Sequence, residues 1–218
     1  MVLYTVTGKV GEEGYLDIAK SGDLTGKNIY VNMTNKCPCS CVFCLRQTKK
    51  QQENNTLWLK DGEPSIEEVL ELFSKYDLNI INELVFCGFG EPTEAFDVLK
   101  EVASYVKKTY NKPIRINTNG VGNLINKRDI VPEMEGIIDT VSISLNDPDK
   151  KRYNELVRSK FGDESFDAML SFAKECTKYI PNVVLTTVDT TISHEEEAQC
   201  QKICDDIGAK YRIRPWEE

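Results

Sequence analysis

Four of the chain's eight cysteines fall in one stretch, Cys37-Pro38-Cys39-Ser40-Cys41-Val42-Phe43-Cys44. Cys37, Cys41 and Cys44 have the spacing C-x3-C-x2-C, with the aromatic Phe43 just before the third. Thiolates are soft ligands that suit iron–sulfur clusters or zinc. Structural zinc usually draws pairs of cysteines or histidines from two separated segments, and no second pair or histidine stands near this one. Three cysteines can instead hold three irons of a cubane and leave the fourth open to an exogenous ligand, which is a catalytic position. The competing readings are a zinc knot with Cys39 as fourth ligand, and buried thiols without function.

These residues need a scaffold, and from residue 28 onward the chain alternates short β-prone apolar runs with longer amphipathic segments, the pattern of βα units around a parallel sheet. Strands are predicted at 28–33, 83–87, 114–117, 138–145, 183–188 and 210–214, and helices near 65–76, 94–110, 129–135, 165–179 and 193–207. Ser65 with Glu68, and Ser193 with Glu196, have capping-box spacing, and Gly208 closes the last helix. Eight such units need about 250 residues, so the six counted here predict a partial (β/α)6 TIM-like barrel. Residues 1–27 stand outside the alternation and read as an N-terminal β-hairpin or flap on a 28–218 core domain. Residues 46–63 read as a polar loop.

In parallel α/β architectures the working residues gather at the carboxyl ends of the strands. Besides the cysteines, that rule collects Gly88-Phe89-Gly90-Glu91-Pro92, Thr118-Asn119-Gly120 and Ser144-Leu145-Asn146, with Arg212, Arg214 and Trp216 from the last strand. Glycines let a backbone approach a ligand closely, and Glu91 can accept from an ammonium.

The cysteine spacing with Phe43 resembles the signature of the radical S-adenosylmethionine (SAM) superfamily, and Gly88 to Pro92 looks like that family's glycine-rich segment, which binds the methionine amino group. Asn117-Thr118-Asn119-Gly120 and Ser142-Ile143-Ser144-Leu145-Asn146 resemble the segments placed near ribose and carboxylate, and 184–189 the run beside adenine. The resemblance covers roughly residues 28–216. More narrowly, 30–39, 86–93 and 115–120 are similar to the TatD-linked radical SAM proteins, a match that leaves the substrate open. It implies a [4Fe–4S] cluster on Cys37, Cys41 and Cys44, which serve as catalytic and metal ligands. It also implies SAM contacts from Phe43, Gly88, Gly90, Glu91, Asn117, Asn119 and Ser144, and an electron donor such as flavodoxin or ferredoxin. Reductive cleavage of SAM to methionine and a 5′-deoxyadenosyl radical would then attack a small-molecule or nucleobase-type substrate. A glycyl-radical activase acting on a partner protein is an alternative, as is a zinc module without turnover. RNA methylation ranks lower, since no cysteine follows Cys204.

Several residues have plainer readings. Asn119-Gly120 is a common turn pair, Cys39 and Cys87 read as a loop passenger and a core residue, and His194 as a solvated first-turn residue. Cys176, Cys200 and Cys204 could share a second metal, though such cysteines are more often small buried hydrophobes. Arg212 and Arg214 suit either an anionic ligand or salt bridges, and Arg46, Lys49 and Lys50 a solvated surface. A net charge of −8 disfavours nucleic acid, whose binding rests on cations that neutralise phosphates. Thiol-rich composition without a secretory signal or membrane span predicts a cytoplasmic protein, and an open barrel leaves room for a partner subunit to cover it.

Overall fold

The structure is a computed structural model and describes residues 1–8, 14–44 and 57–215. Most of the predicted polar loop, with Arg46, Lys49 and Lys50, lies outside them, as does Trp216.

Eight strands form one sheet: β1 (Leu3–Val6), β2 (Tyr15–Asp17), β3 (Asn28–Val31), β4 (Glu83–Phe86), β5 (Ile114–Thr118), β6 (Thr140–Ser144), β7 (Asn182–Val188) and β8 (Lys210–Arg214). Their order is β2-β1-β3-β4-β5-β6-β7-β8. All neighbours from β3 to β8 pair in parallel, while β1 lies antiparallel to both β2 and β3. Six parallel strands joined through helices make the expected partial barrel, with β1 and β2 extending the sheet beyond β3. Among the described residues no helix is long and apolar enough to cross a membrane.

Strand periodicity sorts side chains between two faces. One row runs Val31, Phe86, Ile116, Val141 and Val183 across paired positions, all buried in the main core. The helices cover that face: α1 (Ile66–Phe73), α2 (Phe96–Tyr110), α3 (Gly122–Asn126), α4 (Lys150–Val157), α5 (Glu164–Tyr179) and α6 (His194–Ile207). Leu99, Val102, Ala103 and Val106 of α2 supply one fully buried stripe, and Met169, Phe172, Ala173 and Cys176 of α5 another. The opposite face carries Asn117, Ser142, Ser144 and Thr186, the polar lining of the barrel. On the β3 side, Tyr4 stacks on Tyr30 at 5.1 Å and, with Leu57 and Phe89, forms a separate apolar cluster.

Two predicted features differ. The helix expected at 129–135 is a short 3-10 turn, Pro132–Met134, because Pro132 supplies no amide hydrogen there. The helix of that crossover comes earlier, as α3, and stops at Lys127 in the left-handed region. Helix α4 had no sequence prediction. Tyr153 and Val157 are its buried residues, too few for a visible apolar period; its start is marked by Asp149, which accepts from the Arg152 amide at 2.9 Å.

Both predicted capping boxes are formed, with reciprocal bonds between Ser65 and Glu68 and between Ser193 and Glu196. Ser65→Ala and Ser193→Ala are each expected to cost about 1 kcal/mol, read as a lower urea midpoint with an unchanged slope.

Candidate functional site

The cysteine loop follows β3 and has little structure of its own. It is hung on the end of α4: the Ser40 amide donates to the Val157 carbonyl at 3.1 Å and the Val42 amide to that of Leu156 at 2.9 Å. The Lys160 amide returns a bond to the Pro38 carbonyl at 2.8 Å. Last-turn carbonyls lack intrahelical partners, so the helix end and the loop satisfy each other. The residues before the cysteines are pinned from the other side, where Asn32 Nδ2 donates to the Leu57 carbonyl at 2.6 Å and Asn35 exchanges two bonds with Leu59.

The glycine-rich loop after β4 is pressed against this segment. The Glu91 amide donates to the Lys36 carbonyl at 2.8 Å. A β-carbon on Gly90 would overlap the Thr34 carbonyl and stand 2.6 Å from that of Lys36, and one on Gly88 would overlap the Asn32 side chain. Packing between two protein segments therefore demands both glycines, whatever ligand they also approach.

Glu91 is 3% exposed. Its carboxylate accepts from Thr118 Oγ1 and the Asn119 amide, each at 2.7 Å, and from Thr93 Oγ1 at 2.8 Å and the Thr93 amide at 3.1 Å. Burial pushes this carboxyl above the ordinary glutamate value while the four donors pull it back. Thr93 was given no role from the sequence, and Thr118 only a place in its strand-end segment; their hydroxyls become meaningful once Glu91 is known to be buried.

Asn119 ties the acid to the sulfurs. Its Nδ2 stands 3.5 Å from Cys39 Sγ and 3.9 Å from Cys37 Sγ, while its Oδ1 accepts from the Val121 amide at 3.0 Å. Its turn role and its position in the site are thus both real. Cys39 is no loop passenger: it is buried, and its thiol is pushed far up by hydrogen bonds to Cys37 and Cys41, then by burial. The bond from Cys39 holds Cys41 below the usual thiol value.

One cavity of about 460 Å³ joins these parts, within the range of small-ligand sites. Cys37, Cys39, Cys41, Phe43 and Cys44 line one side; Gly88, Gly90, Glu91, Asn117, Asn119 and Ser144 continue the wall; Arg212 and Arg214 stand across it. The three proposed cluster ligands and the seven proposed SAM contacts all line this cavity, and so does Cys87, which had been read as core; Phe89 and Leu145, also collected from the strand ends, pack in apolar clusters instead. Asn146 joins them at a positive φ of 63°, and its buried Oδ1 has no hydrogen-bond partner among the described residues. Tyr153, fully buried, also leaves its hydroxyl unpartnered, within electrostatic reach of Cys39, Cys41 and Glu91. Cys176, Cys200 and Cys204 lie in the apolar core, where burial pushes the last two thiols up to about 12. Among the described residues no three His, Cys, Asp or Glu side chains converge on a single ion. A cubane takes each thiolate on a different iron, so its ligands stand farther apart.

The family model of the Radical SAM superfamily matches residues 31–207. Fe-coproporphyrin III synthase of Methanosarcina barkeri is 30% identical over 145 residues, 66% of this chain and 32% of that protein. The Streptococcus suis protein SuiB, in its structure bound to the precursor peptide SuiA, superposes with a TM-score of 0.68 at 19% identity over 89% of this chain and 40% of its own. The structure of native anSMEcpe with bound AdoMet gives 0.62 at 19% identity, over 87% of this chain and 51% of its own. These likenesses show the fold. The chain spans about a third of the curated relative's length and two fifths of SuiB's.

Gly90→Ala is expected to cost about 1–3 kcal/mol through overpacking and to speed alkylation of the cysteine loop. Gly136→Ala is its control, since nothing lies within 4 Å of the added carbon; it should cost only about 1 kcal/mol for its positive φ and leave alkylation unchanged.

Proposed function

Because the chain belongs to the radical SAM superfamily, we propose that it is a radical SAM enzyme whose Cys37, Cys41 and Cys44 hold a [4Fe–4S] cluster beside a SAM site. The observation that carries this reading is the single cavity lined by all three cysteines together with Glu91, Asn117, Asn119 and Ser144. The donor set fits the cofactors: three cysteines outside any disulfide, a buried carboxylate with no cation among its described partners, and an amide oxygen on Asn146 with no hydrogen-bond partner among the described residues.

When bound, the cluster and SAM supply reductive cleavage of SAM to methionine and a 5′-deoxyadenosyl radical that abstracts hydrogen from the substrate. The chain's own residues bind and orient. Cys37, Cys41 and Cys44 would provide three ligands to the cluster and leave its open position to an exogenous group, with the Cys41 thiol already held below its usual value by the bond from Cys39. Glu91 is held by its four donors and accepts from the methionine ammonium. Asn117, Asn119, Ser144 and Asn146 offer polar groups to the ribose and carboxylate, while Phe43, Val157 and Val188 keep water from the same space. A reduced flavodoxin or ferredoxin would deliver the electron, a partner subunit would cover the open barrel, and cysteines without disulfides suit the reducing cytoplasm.

Anaerobically reconstituted, reduced protein should show a [4Fe–4S]+ EPR signal that shifts on addition of SAM, and should form 5′-deoxyadenosine. A signal indifferent to SAM, or stoichiometric zinc without sulfide, would sink the reading. Glu91→Gln removes a charge-assisted bond worth about 1.5–3 kcal/mol and is expected to weaken SAM binding at least tenfold by equilibrium dialysis. Since the ionised acid pairs with the ammonium, wild-type affinity should fall as pH drops through the Glu91 pKa, which burial sets above 4.5. The Gln variant should lose that dependence.

A further inference from the structure

Helix α4 carries the cysteine loop on its last turn, where the carbonyls of Leu156 and Val157 accept from the amides of Val42 and Ser40. The buried residues of this helix are Tyr153 and Val157. Four positions apart, they share one helix face, and Val157 lines the cavity beside the sulfurs. Tyr153 stands one turn behind it, fully buried in the same core cluster as Cys39. Phe166 of α5 meets its ring edge-on, with centroids 5.2 Å apart.

Packing explains the ring but not the hydroxyl. Tyr153 Oη has no hydrogen-bond partner among the described residues, and a buried hydroxyl left in that state carries an uncompensated desolvation cost. Phenylalanine would fill the same space without it. The groups within electrostatic reach of this hydroxyl are Cys39, Cys41 and Glu91; burial, and then their charges, push its pKa far up, so it keeps its proton and can only be satisfied as a donor or by an acceptor's approach. Glu91 already accepts four bonds, about the capacity of a carboxylate. The sulfurs remain as acceptors, and cysteines become stronger ones when they bind metal as thiolates.

We propose that Tyr153 tunes the cluster, donating its hydroxyl hydrogen to the sulfurs on the Cys41 side of the loop. This rests on the reading above that Cys37, Cys41 and Cys44 hold a [4Fe–4S] cluster, and it adds a residue that sets how readily that cluster accepts an electron. Hydrogen bonds to cluster sulfurs stabilise the reduced, more negative state and raise the reduction potential. Asn119 Nδ2 already approaches Cys39 and Cys37 from the end of β5, and Tyr153 supplies a second donor from α4.

The test compares wild type with Tyr153→Phe. Without the cluster, the variant should melt no lower than wild type, since the lost hydroxyl has no partner to forfeit. After anaerobic reconstitution, a redox titration followed by EPR should place its midpoint at a more negative potential, by about 59 mV for a tenfold smaller ratio of reduced to oxidised cluster. Replacing Tyr153 with fluorotyrosine, a more acidic phenol of nearly the same shape, should move the midpoint the other way, and it decides the matter if the Phe variant assembles no cluster. The proposal is overturned if the variants titrate with the wild-type midpoint. It is also overturned if Tyr153→Phe melts lower without the cluster, which would show that the hydroxyl serves a structural partner such as a trapped water. Failure of the radical reading looks different: wild-type protein then holds no iron and sulfide, or never forms 5′-deoxyadenosine, whereas the Tyr153 proposal fails on wild-type protein that does both.

Discussion

The burial of Glu91 is the constraint on which the site depends. An ionised carboxylate removed from water costs several kcal/mol unless hydrogen bonds replace its hydration. Four donors do so here, and they come from two places: Thr93 just beyond Glu91 itself, and Thr118 with the Asn119 amide at the end of the next strand. The ends of β4 and β5 must therefore stand side by side, as their parallel register provides. The Glu91 amide is spent on the Lys36 carbonyl, which draws in the end of β3 as well. One acid thus locks three strand ends and both glycines. Its negative charge is solvated by dipoles and left without a cation, which is what an ammonium would complete.

The cysteine loop obeys a second constraint. Four thiols within eight residues would repel one another if all ionised. The arrangement opposes this: hydrogen bonds to Cys37 and Cys41, with burial, push the Cys39 thiol far up, and the bond from Cys39 holds Cys41 below the usual thiol value. The loop is tied down where its amides fill the vacant acceptors at the end of α4, and Asn119 reaches it from the end of β5.

The parts readable from sequence were those governed by local chemistry or by period. Alternating apolar runs disclosed the six parallel strands, Ser–Glu spacing two helix starts, and strand-end position the residues from Cys37 to Arg214 that line the cavity. What stayed hidden depended on partners distant in the chain. Helix α4 buries too little to show a stripe, yet it carries the cysteine loop. Thr93, Thr118 and Tyr153 are ordinary residues until Glu91 and the cysteines are placed beside them. Cys39 looked dispensable because spacing alone does not reveal where a sulfur points, and the glycines looked ligand-directed because sequence does not show the carbonyls behind them.

The sheet also separates charge across its width. Sulfurs and the buried acid sit at the ends of β3 to β5, hydroxyls line β6 and β7, and guanidinium groups stand on β8. Arg115 on β5 is matched to Glu83, while Arg212 and Arg214 on β8 donate to the hydroxyls of Ser142 and Thr186. The ordering of the strands thus keeps the guanidinium groups of β8 across the lumen from the sulfurs and the buried acid.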